Sequence, residues 1–263
     1  MDSRPIGVLD SGVGGLTVLH EIHKELPDES TVYIGDSLHA PYGARSPEEI
    51  LVFSQKLIQF LLQQQAKAIV VACNTITVNG IDKLRAVFQD IPIVGTVPVV
   101  KTAAAVTKNK KIGLLVTGAT AKSTYNQELI NTFAHDCEVT IVGTNKLVPL
   151  IEAGKKSSLP DMIAQELTPF KKHNVDTVIL GSTHFPILRS LIESYMGEEV
   201  AVLDSGGAVA RQVRRILTNN SALVHTPRPT HCLYTTGPKK EFAAVAAQIF
   251  GKTLPSVEEI VLQ

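Results

Sequence analysis

Runs of four to seven residues rich in valine and isoleucine recur along this chain, and segments with helical spacing lie between them. That alternation limits the fold more than any other feature. A run apolar on both faces must be covered on both faces, and parallel strands need crossovers long enough to hold a helix. Strands are expected at Pro5–Asp10, Thr31–Gly35, Ala68–Ala72, Lys111–Thr117, Val139–Gly143, Thr177–Gly181, Val200–Asp204 and Cys232–Thr235. Helices are expected at Glu48–Gln64, Lys122–Phe133 and Glu241–Phe250. The fold class is α/β, with parallel sheets.

Special residues recur in two halves. Val70-Val71-Ala72-Cys73-Asn74-Thr75 is matched by Ile179-Leu180-Gly181-Ser182-Thr183-His184, each a buried run followed at once by small polar residues. Ligands of open α/β sheets sit at the carboxyl ends of the strands. Two such halves facing each other enclose a site between two pseudo-symmetric domains. The expected division is 1–97 plus 210–263 for the first domain and 98–209 for the second.

Composition removes several alternatives. A formal net charge of +0 leaves no electrostatic reason for nucleic acid or an anionic membrane as main partner. Three cysteines, Cys73, Cys137 and Cys232, are too few and scattered for a disulfide framework, and no metal-ligand spacing is present. Neither a signal-like N-terminus nor a membrane-spanning apolar run is found, so a soluble cytoplasmic protein is expected.

Several positions carry candidate chemistry. Asp10-Ser11-Gly12-Val13-Gly14-Gly15 follows the first strand, but Thr17 stands where a dinucleotide fingerprint needs its third glycine. It is either a plain tight turn or a turn whose N–H groups hold a carboxylate. Cys73, at a strand end before a helix, is either a buried inert thiol or one whose pKa the helix N-terminus lowers. Ser182-Thr183-His184 invites a hydrolase reading, yet no GxSxG elbow surrounds it. Pro41-Tyr42-Gly43 reads as a turn. Thr117 and Thr120 add hydroxyls at another strand-to-helix junction, and such groups together suit a small dicarboxylate.

Five segments, in order, carry a resemblance: Ile6-Gly7-Val8-Leu9-Asp10-Ser11-Gly12; Gly35-Asp36 with Pro41-Tyr42-Gly43; Ala72-Cys73-Asn74-Thr75; Val148-Pro149-Leu150-Ile151-Glu152; and Thr183-His184-Phe185-Pro186. From end to end the chain resembles the glutamate racemases of the aspartate/glutamate racemase superfamily. The resemblance implies two α/β domains, no cofactor, glutamate as substrate and a product, D-glutamate, used for peptidoglycan. It implies a pair of proton-transfer groups on opposite faces of the substrate Cα, Cys73 being the first. Asp10 is then the polar partner of Cys73, His184 assists the second group, and Glu152 is a further acidic site residue. Ser11, Pro41, Tyr42, Gly43, Asn74, Thr75, Thr117, Thr120 and Thr183 match substrate-binding positions. The resemblance admits a homodimer.

The chain also departs from this pattern. Ser182 stands where the family carries its second thiol, and a hydroxyl is a far weaker acid. Val97-Pro98-Val99 replaces Glu-Pro-Gly, and Thr144-Asn145-Lys146 replaces a segment carrying Cys-Pro. Two other readings therefore stay open: a racemase of a related acid such as aspartate, and a glutamate-binding homologue that acts on a partner without turnover.

Overall fold

The computed structural model describes residues 2–224 and 228–262, so residues 1, 225–227 and 263 of the expected domain ranges lie outside the described residues. The strands are β1 (Ile6–Asp10), β2 (Thr31–Gly35), β3 (Ala68–Val71), β4 (Ile93–Gly95), β5 (Lys111–Thr117), β6 (Glu138–Thr144), β7 (Thr177–Leu180), β8 (Ala201–Asp204), β9 (His231–Thr235) and β10 (Ser256–Glu259). One sheet has the order β10-β9-β2-β1-β3-β4 and the other β6-β5-β7-β8. Every pairing in both is parallel. The chain is thus a two-sheet α/β protein, as the alternation of apolar runs and helices requires.

The central strands explain themselves by side-chain alternation. Ile6, Val8, Ala68 and Val70 pack on one face with Leu16, Leu19 and Ile22 of helix Leu16–Glu25 and Val213 and Leu217 of helix Gly206–Asn219. Leu9, Ile69 and Val71 point the other way, onto Leu57, Ile58 and Leu61 of helix Pro47–Gln63 and Leu84 of helix Asn74–Val87. The four-stranded sheet is built likewise, with Leu115, Val178 and Leu180 on one face and Ile112, Leu114, Val116 and Ile179 on the other. β9 pairs with β2, so the chain returns to the first sheet after visiting the second.

Element ends differ from the sequence reading for local reasons. The helix expected from Glu48 begins at Pro47, where Ser46 and Glu49 form a reciprocal cap and proline fits the first turn. The helix expected from Lys122 begins at Thr124, because the Ser123 hydroxyl accepts the Tyr125 N–H and starts it afresh. Strands β4 and β10 are additions, three and four residues long, at opposite edges of the first sheet.

A second duplication lies beside the expected one. Val8-Leu9-Asp10-Ser11-Gly12 recurs as Val202-Leu203-Asp204-Ser205-Gly206. In both copies the aspartate accepts the N–H of the glycine two residues on, at 3.1 Å from Gly12 and 2.8 Å from Gly206. Among the described residues, no helix is long and apolar enough to cross a membrane.

Candidate active site

The carboxyl ends of both sheets meet at one cavity of about 110 Å³. The first sheet supplies Ser11 after β1, the Pro41–Ala44 turn after β2, and Cys73, Asn74 and Thr75 after β3. The second supplies Thr117 at the end of β5, Thr144 and Asn145 at the end of β6, Val148 beyond them, and Ser182, Thr183 and His184 after β7. Strands in parallel register end together, so polar residues placed just after them converge without being near in sequence. Cys73 and Ser182 thus line the same space from different sheets.

Cys73 is buried, with Sγ 3.6 Å from the Ser11 hydroxyl. Burial is the largest influence on its thiol, and the nearby Asp10 carboxylate adds to it, pushing the pKa up to about 12. The N–H of Ile76, in the first turn of the following helix, and hydrogen bonds from Ser11 act in the opposite direction and lose. The expectation of a thiol lowered by the helix N-terminus is therefore corrected. The helix contributes as expected, but desolvation of the charged form outweighs it. Asn74 is buried beside Cys73, and neither polar atom of its carboxamide has a protein partner. A buried amide without partners is costly, so this one is available to a polar ligand.

The second wall is tied to the first by hydrogen bonds. The Thr183 hydroxyl donates to Asp10 Oδ1 at 3.3 Å, and the Thr17 hydroxyl lies 2.9 Å from the Thr183 carbonyl oxygen. Glu152 Oε1 accepts the Val13 N–H at 3.1 Å and lies 2.6 Å from His184 Nε2. Burial alone would lower the His184 pKa, but the Glu152 hydrogen bond and the charges of Glu152 and Asp10 outweigh it and hold the imidazole above its ordinary value. Asp10 is fully buried, and burial raises its carboxyl despite the His184 charge and the Gly12 and Gly15 N–H groups. Ser182 accepts the backbone N–H of His184 at 3.4 Å, so the imidazole itself is committed to Glu152 rather than to the serine.

Most residues singled out from the sequence come together here, at different depths. Asp10, Glu152 and Thr120 do not line the cavity. Asp10 is fully buried and bonded to Thr183, Glu152 is bonded to His184, and Thr120 is fully buried with its hydroxyl 2.9 Å from that of Thr117. Thr144, Asn145 and Val148, named from the sequence only as parts of longer segments and not as site residues, also line it, as does Ala44. The strand-end rule applied to β6 would have found Thr144 and Asn145, and Val148 opens one of the segments that carry the resemblance; Ala44 carries no comparable signal.

A model for the family described as Asp/Glu/Hydantoin racemase matches residues 6–213. The chain belongs to that family. Its class is isomerase, the class to which racemases belong. A glutamate racemase of Pseudomonas entomophila is 42% identical over 236 residues, covering 89% of each chain. The solved glutamate racemase isoform RacE1 of Bacillus anthracis has a TM-score of 0.91 at 35% identity, covering 100% of this chain and 99% of its own. The glutamate racemase of Francisella tularensis, solved with D-glutamate, has a TM-score of 0.86 at 29% identity and covers 100% and 99%.

Proposed function

We propose that this protein interconverts L- and D-glutamate by proton transfer at Cα, with Cys73 serving one face and Ser182 the other. The observation that carries the reading is the shared cavity with Cys73-Asn74-Thr75 on one side and Ser182-Thr183-His184 on the other. The lobes on either side correspond to 1–97 plus 210–263 and 98–209, a division supported by the strands each sheet contains. D-Glutamate made in the cytoplasm and used for peptidoglycan is the role this activity would have.

Each group has a physical task. Ser11, Gly43, Asn74, Thr75, Thr117 and Thr183 offer hydroxyl, amide and backbone donors for the two carboxylates. Thr120 supports Thr117 from behind. Pro41 and Tyr42 shape the wall, and the Tyr42 hydroxyl is held by Asp36 at 2.6 Å. With its pKa raised by burial, Cys73 is a thiol at neutral pH. A substrate ammonium beside it favours the thiolate, and burial, which raises the nearby Asp10 carboxyl, makes that group readier to take a proton. Deprotonation by Cys73 and reprotonation from the Ser182 side invert Cα. Ser182 is left as an alkoxide when it gives its proton to Cα and must start as one when it removes a proton, so its ionisation is the impaired step in both directions.

The test is polarimetric or coupled-enzyme racemisation of each glutamate enantiomer. Turnover of both supports the reading. The serine at position 182 favours one second reading, a homologue that binds glutamate without racemising it. Tight glutamate binding with no α-proton exchange from either enantiomer would replace the first reading with the second.

A further inference from the structure

Tyr33 lies on β2, in the core of the first sheet, and none of its atoms lines the cavity. Its ring packs 6.1 Å from that of Phe242, as a core aromatic would. Its hydroxyl does something a core aromatic need not do. It donates to the carbonyl oxygen of Gly12 at 2.7 Å. That carbonyl and the N–H of Val13 belong to one planar peptide group, whose C=O and N–H point in opposite directions. The Val13 N–H donates to Glu152 Oε1 at 3.1 Å, and the same oxygen lies 2.6 Å from His184 Nε2.

We infer that Tyr33 is a positioning residue: through the Gly12–Val13 peptide it holds Glu152, and through Glu152 the His184 imidazole, in place across the cleft. A peptide plane gripped at its oxygen cannot rotate its N–H away, so one buried hydroxyl sets the direction of the bond that reaches the second wall. A carbonyl that accepts a hydrogen bond also makes its own N–H a better donor, since bonded groups in a chain polarise one another. The loop leaves no slack for a substitute arrangement. A Cβ on Gly12 would come within 2.2 Å of Glu152 Oε1, and one on Gly14 within 2.4 Å of His184 Nδ1. The groups facing His184 are Glu152, Asp10, the Thr183 hydroxyl and the Gly12–Gly15 turn, and Tyr33 acts on them through the turn. The raised His184 pKa agrees with a Glu152 carboxylate kept close.

This inference rests on the proposed racemisation only for its consequence in catalysis; the positioning is measured without turnover. Tyr33→Phe keeps the ring and removes the hydroxyl. The His184 imidazole is titrated by NMR in the histidine-labelled protein, its resonance assigned by loss in His184→Gln. The expected result is a downward shift of the His184 midpoint in Tyr33→Phe and a larger one in Glu152→Gln. In the double variant Tyr33→Phe adds nothing, because the path to Tyr33 has been cut. In deuterated water, isotope uptake into the enantiomer served by the Ser182 side falls in Tyr33→Phe by on the order of tenfold more than uptake on the Cys73 side. A His184 midpoint unchanged in Tyr33→Phe, or a Tyr33→Phe shift that adds in full to that of Glu152→Gln, overturns the inference and leaves Tyr33 a packing residue. Should Tyr33→Phe not fold, the buried Tyr33 hydroxyl proton is followed in Glu152→Gln. Displacement of its resonance supports the coupling, and an unmoved resonance overturns it. Loss of all isotope uptake in the unmodified protein, with the midpoint shifts intact, would remove the racemase reading and leave the positioning standing.

Discussion

His184 turns its ring to Glu152, with Nε2 2.6 Å from Oε1, and offers Ser182 only its backbone N–H, 3.4 Å from Oγ. The serine is therefore not paired with a base in the way a nucleophilic serine is in a hydrolase. The hydrolase reading that Ser182-Thr183-His184 invites loses its geometry at this point. What remains is a hydroxyl on the cavity wall, and an imidazole held by Glu152 of its own lobe, which in turn accepts the Val13 N–H of the other.

That orientation depends on the absence of side chains in the glycine turn. A Cβ on Gly14 would lie 2.4 Å from His184 Nδ1 and 2.7 Å from Thr183 Oγ1. Gly14→Ala must push both groups back, at about 1–3 kcal/mol for an overpacked site. The expected outcome is a lowered melting temperature together with a loss of glutamate affinity in calorimetry. Gly80→Ala is the control: it lies within helix Asn74–Val87, and its Cβ meets only Leu51 Cδ1 at 3.6 Å. It should stabilise by roughly 0.5–1 kcal/mol, the helical preference of alanine over glycine, and leave binding unchanged.

The fold was readable because buried parallel strands are continuous apolar runs, and β1, β2, β3, β5 and β7 are of that kind. β4 and β10 were not, for want of such a run: three residues in one, a single buried valine in the other. The cavity residues were readable where they follow strand ends, as Cys73 and Ser182 do. Their electrostatics were not. The shift of Cys73 is a balance between a local helix, visible in sequence, and burial among Leu9, Ile34, Tyr42 and Ile76, visible only in three dimensions. Tyr33 reads in sequence as one more strand aromatic, since nothing local reveals that its hydroxyl lies beneath the Gly12 carbonyl.

The raised thiol makes stability depend on alkaline pH. The Cys73 pKa is about 12 in the folded protein against an ordinary 9.0. Between those values the unfolded chain has released the thiol proton and the folded one has not, so folding stability falls as pH rises. Below about 9 both states hold the proton and the group contributes nothing. The full effect is about 4 kcal/mol at 1.36 per pH decade, to order of magnitude. Urea unfolding of the protein and of Cys73→Ala across this range should give curves that converge as pH rises, by up to that amount. Parallel curves would mean that the buried thiol ionises at its ordinary value. At neutral pH the same property predicts that iodoacetamide labels Cys73 slowly when no glutamate is added.

Thr117 reaches the cavity, whereas Thr120 supports it from below. Their hydroxyls are 2.9 Å apart, and the Thr117 hydroxyl also accepts the Thr120 N–H at 3.4 Å. Thr117→Val should weaken glutamate binding by about 1.5–3 kcal/mol, the range for a hydrogen bond to a charged group. Thr120→Val should weaken it less, since it only frees its neighbour to rotate. Calorimetry on the two variants decides. Equal affinity for Thr117→Val and the unmodified protein removes Thr117 from the binding site.

Ser182 carries the sharpest prediction. The proposed mechanism requires two proton-transfer groups, and the two on the cavity walls differ in kind: a thiol on one, an alcohol on the other. On the proposed mechanism the side served by Cys73, that of D-glutamate by the family resemblance, keeps a thiol that a substrate ammonium can help to ionise. The other side has a hydroxyl whose nearest imidazole is held by Glu152. A mismatched acid or base costs about 10²–10⁴ in rate, equivalent to roughly 3–5 kcal/mol of barrier. In deuterated water the unmodified chain should therefore introduce deuterium into D-glutamate faster than it forms L-glutamate. Ser182→Cys replaces an oxygen by a sulfur at the cavity wall and should raise racemisation by at least about a hundredfold, with glutamate affinity scarcely altered. Brisk turnover of both enantiomers by the unmodified chain, with no gain in Ser182→Cys, would show that Ser182 is not the second proton-transfer group and that another donor serves that face.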